Sequence, residues 1–209
     1  PQQIVFSTEP GSAFYQQALE VKTVSEQLTQ DQREISRFWV DTPGVTGTPA
    51  GHWILIGSQM VDLLDLNLAD AARMYLVVGV SVGDAFISAW ETKYQDNLLR
   101  PVTYIQRYIE PTWAPTWANP GFPEYPSGHS VVSGAGATAL TQLFGTVAFT
   151  DTSVRRHGMN PRNFDSFEAA ASEAAISRLY GGIHYREAIE SGLEQGRCVA
   201  EYAVQMLDL

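Results

Sequence analysis

Three short segments of this chain carry side chains whose types and spacing suit the binding of a tetrahedral oxyanion. The first is Lys93, six residues, then Arg100-Pro101. Seven positions are close to two helical turns, so on a continuous helix the ammonium and the guanidinium share a face. Arginine offers a planar fork of donors and lysine a mobile point charge, a useful pairing around phosphate-like groups. Taken alone, the pair also fits a solvated basic face.

The second segment is Pro126-Ser127-Gly128-His129, just ahead of a run of small residues. Ser127 suits a helix N-cap, and the free N–H groups of a helix start attract anions. Gly128 lets an anion approach the backbone. His129 then stands in the first turn, where an imidazole can exchange protons near neutral pH. An ordinary capped helix with an exposed histidine reads the same way. The third segment runs Ser177-Arg178-Leu179-Tyr180-Gly181-Gly182-Ile183-His184. Its glycines should end a helix and leave Arg178 and His184 on either side of a turn. Arg178 there also suits the helix dipole, and His184 alone also suits a structural histidine.

Positioning these groups takes helices. Residues 12–29 place Phe14, Ala18, Val21, Val24 and Leu28 at steps of three and four. Thr29 can cap a second helix toward Trp39, with Gln32 completing a capping box. Residues 41–51 read as a loop, 52–64 as a helix and 69–94 as a long apolar helix. Further helices are expected over 130–143, 166–180 and 185–207. Residues 111–126 carry five prolines among Trp113, Trp117, Phe122 and Tyr125, too many prolines for a helix. They should form an ordered loop packed by its aromatics. Residues 145–163 are polar, with room for one short hairpin. The expected fold is all-α: one helical bundle with long loops at the active-site end.

Composition sets limits. With 44% hydrophobic and 17% charged residues, the 209-residue chain can bury a sizeable core. Its net charge of -10 argues against nucleic acid as a partner. The single cysteine, Cys198, allows no internal disulfide. The stretch 74–90 is apolar but holds Gly79, Ser81, Gly83 and Asp84, so it is expected to be a core helix and not a membrane span. The chain starts at Pro1 with no evident signal peptide, which suggests a processed or truncated product.

Together the three segments resemble the signature shared by vanadium-dependent haloperoxidases and the type 2 phosphatidic acid phosphatase superfamily. That pattern is Lys-x6-Arg-Pro, Pro-Ser-Gly-His, then Ser-Arg-x5-His, and the spacing here matches at each position. Asp84-Ala85, Trp90 and Phe122 also resemble the chloroperoxidase branch, and Thr48-Pro49-Ala50-Gly51-His52-Trp53 resembles its bacterial relatives. The resemblance implies one catalytic domain over residues 1–209, similar to the C-terminal half of a longer haloperoxidase. It implies vanadate held by Lys93, Arg100, Ser127, the Gly128 amide and Arg178, with His184 as the vanadium ligand. Phosphate would take the place of vanadate in the cofactor-free protein. Catalysis would fall to Lys93, His129 and His184, and Trp90 and Phe122 would line the halide side of the pocket. Hydrogen peroxide and halide would be the substrates. A homo-oligomer, or association with a missing N-terminal helical half, is implied, as is a soluble periplasmic or secreted location.

The alternative is a soluble acid phosphatase working through a phosphohistidine at His184, with His129 protonating the leaving alcohol. The phosphatase pattern usually places an aspartate four residues after that histidine. Here Ala188 stands there, and Glu187 lies one position early, about 100° around a helix. A nucleophilic histidine without an orienting carboxylate should be weaker, whereas a metal-bound one can use a backbone carbonyl. That difference favours the peroxidase. The chain's shortness favours the phosphatase.

Overall fold

The computed structural model describes residues 5–44 and 46–207, so Val45, within the loop expected over 41–51, lies outside the described residues. In chain order the elements are α1 (Ala13–Glu26), α2 (Gln30–Phe38), α3 (Pro49–Leu63), α4 (Leu68–Asp96), α5 (Pro101–Tyr108) and α6 (Gly128–Phe144). A hairpin of β1 (Phe149–Asp151) and β2 (Arg162–Phe164) follows, then α7 (Phe167–Tyr180) and α8 (Arg186–Leu207). The strands pair antiparallel, Phe149 opposite Phe164 and Asp151 opposite Arg162. The fold is all-α apart from this hairpin.

Side-chain caps set most helix starts. Thr29 and Gln32 form a reciprocal capping box ahead of α2, and Ser127 and Ser166 cap α6 and α7. Thr48 caps α3, with Pro49 in its first turn, so that helix begins three residues before the expected position 52. Pro is tolerated there because the first N–H groups of a helix have no partner anyway.

Lys93 and Arg100 do not share one continuous helix, and the long helix expected over 69–94 stops before Arg100. α4 ends at Asp96, with Asn97 in the left-handed region at φ 47. Arg100 is the extended N-cap of α5, a helix the sequence reading did not foresee. Pro101 explains the break, because a proline disfavours the helical conformation in the residue before it.

α6 is the central helix, packed by α3, α4, α7 and α8. Its closest neighbour is α8, and small residues permit the approach. A Cβ on Gly196 would fall 1.9 Å from the Val131 carbonyl oxygen, and one on Gly134 would fall 2.4 Å from that of Leu193. Overpacking such a contact costs about 1–3 kcal/mol. The main core gathers Trp39, Trp53, Met60, Met74, Val78, Leu140 and Phe167.

α4 is long and apolar enough to cross a membrane by length and composition. One side packs into the core through Met74, Val77, Val78 and Val82. The other leaves Leu76, Ile87 and Tyr94 48%, 70% and 62% exposed.

Candidate active site

The end of α4, the starts of α5, α6 and α8, and the end of α7 bring the three segments together. Lys93 lies in the last turn of α4, Arg100 at the start of α5 and Gly128 and His129 in the first turn of α6. Arg178 lies in the last turn of α7. His184 sits between α7 and α8, beyond a turn at Gly182, where φ is 73. Lys93, Arg100, Ser127, Arg178 and His184 are all buried.

A cavity of about 500 Å³ opens onto this cluster. Trp90, Phe122, Gly128, His129, Arg178 and His184 line it, together with Val40, Asp41, Phe86 and Trp117. Lys93, Arg100 and Ser127 stand behind its wall. Arg100 reaches His184, with 3.1 Å between a guanidinium nitrogen and Nε2. Lys93 Nζ lies 5.2 Å from the Phe122 ring and 5.9 Å from the Trp90 ring, so both aromatics cover the cation. A side chain at position 128 would press on Trp90, its Cβ 3.3 Å from the ring; glycine lets the indole close over the helix start.

The proline-rich loop holds the cations through its carbonyls. Lys93 donates to the carbonyls of Pro123, Glu124 and Pro126. Arg100 donates to those of Phe122, Pro123 and Ile183. An ammonium has three N–H groups, so direct donation to an anion would require Lys93 to release one carbonyl. Arg178 donates to the Trp39 carbonyl at 3.0 Å, and its Nε is buried without a partner among the described residues.

Burial, then the neighbouring Arg100, lowers Lys93 to about 7, with Glu124 acting the other way. Burial lowers both arginines to about 10, leaving them charged at neutral pH. Burial and Arg178 bring His129 down to about 4, so it stands neutral where the sequence reading expected exchange near neutrality. Burial and Arg100 hold His184 well below its usual value.

His184 also has a partner the sequence reading missed. Nδ1 lies 2.7 Å from Glu124 Oε1, which accepts from the Tyr185 amide as well. Nδ1 therefore carries the proton and Nε2 keeps its lone pair. A carboxylate at position 188 is unnecessary, because Glu124 supplies one from the loop, and neither the loss of aspartate nor a backbone carbonyl bears on the choice of activity. A signal existed: Glu124 is the one charged residue between Pro111 and Pro126. A second group escaped the reading too. Asp41 Oδ2 is 3.4 Å from His129 Nε2, a close charge contact without a formed hydrogen bond.

Residues 108–208 match the family described as the VCPO second helical-bundle domain. Among curated proteins, the chain is similar to the vanadium chloroperoxidase of Curvularia inaequalis, 31% identical over 174 residues. That match covers 58% of this chain and 29% of the relative. Among solved structures, it is similar to one described as the first bacterial vanadium-dependent iodoperoxidase, with 42% identity and a TM-score of 0.93. The likeness covers 97% of this chain and 52% of the other, so the chain spans about half the length of that neighbour. The fold is also that of a bacterial vanadium-dependent chloroperoxidase in its holo form, with 17% identity and a TM-score of 0.78 over 94% of this chain and 48% of the other.

Proposed function

We propose that the chain is a vanadium-dependent haloperoxidase, as its similarities suggest, and that it oxidises halide with hydrogen peroxide, releasing hypohalous acid. The observation that carries this reading is the likeness to a vanadium-dependent iodoperoxidase structure, 42% identical over 97% of this chain. The seating of His184, with Glu124 on Nδ1 and Arg100 donating to Nε2 beside the cavity, is compatible with it.

The donor set fits vanadate. Three cationic side chains balance an oxyanion, and Arg178 has a buried N–H without a partner. The Gly128 amide belongs to a helix start, where backbone donors point outward. In this reading Lys93, Arg100, Ser127, Gly128 and Arg178 would hold the oxygens, and neutral His184 would offer Nε2 to the metal once Arg100 turns from it to the oxyanion. When bound, vanadate supplies a Lewis acid that activates peroxide without changing oxidation state.

The chain's own groups do the rest. His129, neutral at pH 7, takes a proton from incoming peroxide and returns it as product leaves. Lys93 donates toward a peroxide oxygen and draws charge from it. Trp90 and Phe122 form a dry wall on which a polarisable halide can rest. Apart from the contacts that Lys93 and Arg100 would exchange for the oxyanion, the cage stands before substrate arrives, which limits the reorganisation. The exposed side of α4 is proposed to meet another helical surface, from a second copy or from an N-terminal bundle.

One observation favours a second activity on the same groups. Glu124 gives His184 the orienting carboxylate that a phosphohistidine mechanism needs. One experiment separates the two: vanadate-loaded protein with peroxide and iodide, against vanadate-free protein with a phosphate monoester. Iodide comes first because it is the more easily oxidised halide and the 42% identical neighbour is described as an iodoperoxidase. Vanadate-dependent oxidation is the expected result. Ester hydrolysis without it would give the site to the phosphatase.

A further inference from the structure

His52, in the first turn of α3, belongs to a second buried cluster that neither activity has used. Both its ring nitrogens are engaged. Nδ1 lies 2.8 Å from Asp41 Oδ1, and Nε2 lies 2.8 Å from Asp151 Oδ2 and 2.8 Å from Ser153 Oγ. Asp151, at the end of β1, is itself held by Gln59 and the Ser153 amide. Burial opposes a charge on His52, but Asp41 and Asp151 outweigh it and raise the imidazole to about 10. The cluster is carboxylate, imidazolium, carboxylate at neutral pH.

Its near end touches the active site at two points. Asp41 has φ 48, a left-handed backbone that persists in a residue with a side chain only when its surroundings hold it. Its second oxygen faces His129 Nε2 at 3.4 Å. Two residues earlier, Trp39 stacks on the His52 ring, centroids 4.4 Å apart at 27°. The Trp39 carbonyl accepts from Arg178. One short segment, residues 39–41, therefore meets both His129 and Arg178, and His52 is the group on which it is seated.

We propose that His52 is a positioning residue: clamped from behind by Asp151, it seats residues 39–41 so that Asp41 orients His129 and the Trp39 carbonyl steadies Arg178. Asp41 then draws the Nε2–H tautomer of His129 toward itself, leaving Nδ1 as the proton acceptor. The proposal rests on His129 as the proton-exchanging group, a role it has in both candidate activities. A cluster that only stabilised the core would leave that group unaffected.

The test uses the whole chain and Asp151→Asn, a position bonded to His52 and not to His129 or Arg178. Nitrogen-15 spectra of the vanadate-free protein at pH 8 should show two ring N–H signals for His52 and Nε2 protonation for His129. In Asp151→Asn the His129 tautomers should mix. In whichever activity the site supports, kcat should fall roughly tenfold or more with KM little changed, and Asp151→Glu should recover part of the loss. A single ring N–H on His52 overturns the proposal. So does an Asp151→Asn protein with lowered Tm but wild-type kcat and wild-type His129 tautomer. If the chain shows neither halide oxidation nor ester hydrolysis, the spectra still decide the positioning role.

Discussion

His184 Nδ1 lies 2.7 Å from Glu124 Oε1, a carboxylate 60 positions earlier in the chain. That contact fixes the tautomer of the one imidazole proposed to bond the metal. It also binds the proline-rich loop to the turn between α7 and α8, because the same oxygen accepts from the Tyr185 amide.

Glu124→Gln keeps the shape and removes a carboxyl that burial raises to about 7. His184 then loses its carboxyl acceptor, and Lys93 and Arg100 lose a neighbouring acidic group. Vanadate affinity or turnover should fall by about 10–100-fold. Equilibrium dialysis with vanadate and steady-state rates measure the two separately. Wild-type values in both would show that Glu124 only anchors the loop.

The motifs were legible because each is local: Lys93 to Arg100-Pro101, the capped Pro-Ser-Gly-His start, and arginine and histidine around two glycines. Helix starts were legible for the same reason, as Thr29 with Gln32 shows. Contacts between distant segments were not. Glu124, Asp41 and Asp151 have no periodicity, and each meets its histidine only through the fold. The break between Lys93 and Arg100 agrees with the helix end expected near 94, and Pro101 gives its cause.

The His52 cluster predicts a pH dependence of stability. Its folded pKa is raised from 6.5 to about 10, so the folded state holds the proton more tightly than the unfolded chain. The resulting stabilisation is fully present below pH 6.5 and is lost as pH rises toward 10. The Tm advantage of wild type over His52→Gln should therefore narrow across that window. An advantage constant from pH 6 to pH 10 would mean that His52 is neutral in the fold.

The exposed side of α4 should drive association. Leu76, Ile87 and Tyr94 recur near helical spacing, and a Cβ at Gly79 or Gly83 would meet nothing within 4 Å. Small residues let another helix approach such a stripe closely, and contiguous apolar surface of this kind marks an interface. Sedimentation of the chain should show a dimer or larger species, and Ile87→Glu should shift it toward monomer. A monodisperse monomer before mutation would argue against a missing partner surface and for the short phosphatase.

His184→Ala bears most directly on the choice of activity. In the haloperoxidase reading the change removes the protein's bond to vanadium and leaves Lys93, Arg100 and Arg178 in place. Those cations should still attract vanadate, so binding should weaken without vanishing, while peroxide-dependent halide oxidation nearly disappears. In the phosphatase reading the same change removes the nucleophile and with it a covalent phosphohistidine. Trapping separates the two: wild type is mixed with a phosphate ester, quenched, and examined for phosphate on His184. Stoichiometric phosphohistidine in wild type, with no vanadate-dependent oxidation, would assign the site to phosphate-ester hydrolysis. Glu124 would then be the carboxylate that orients the nucleophile.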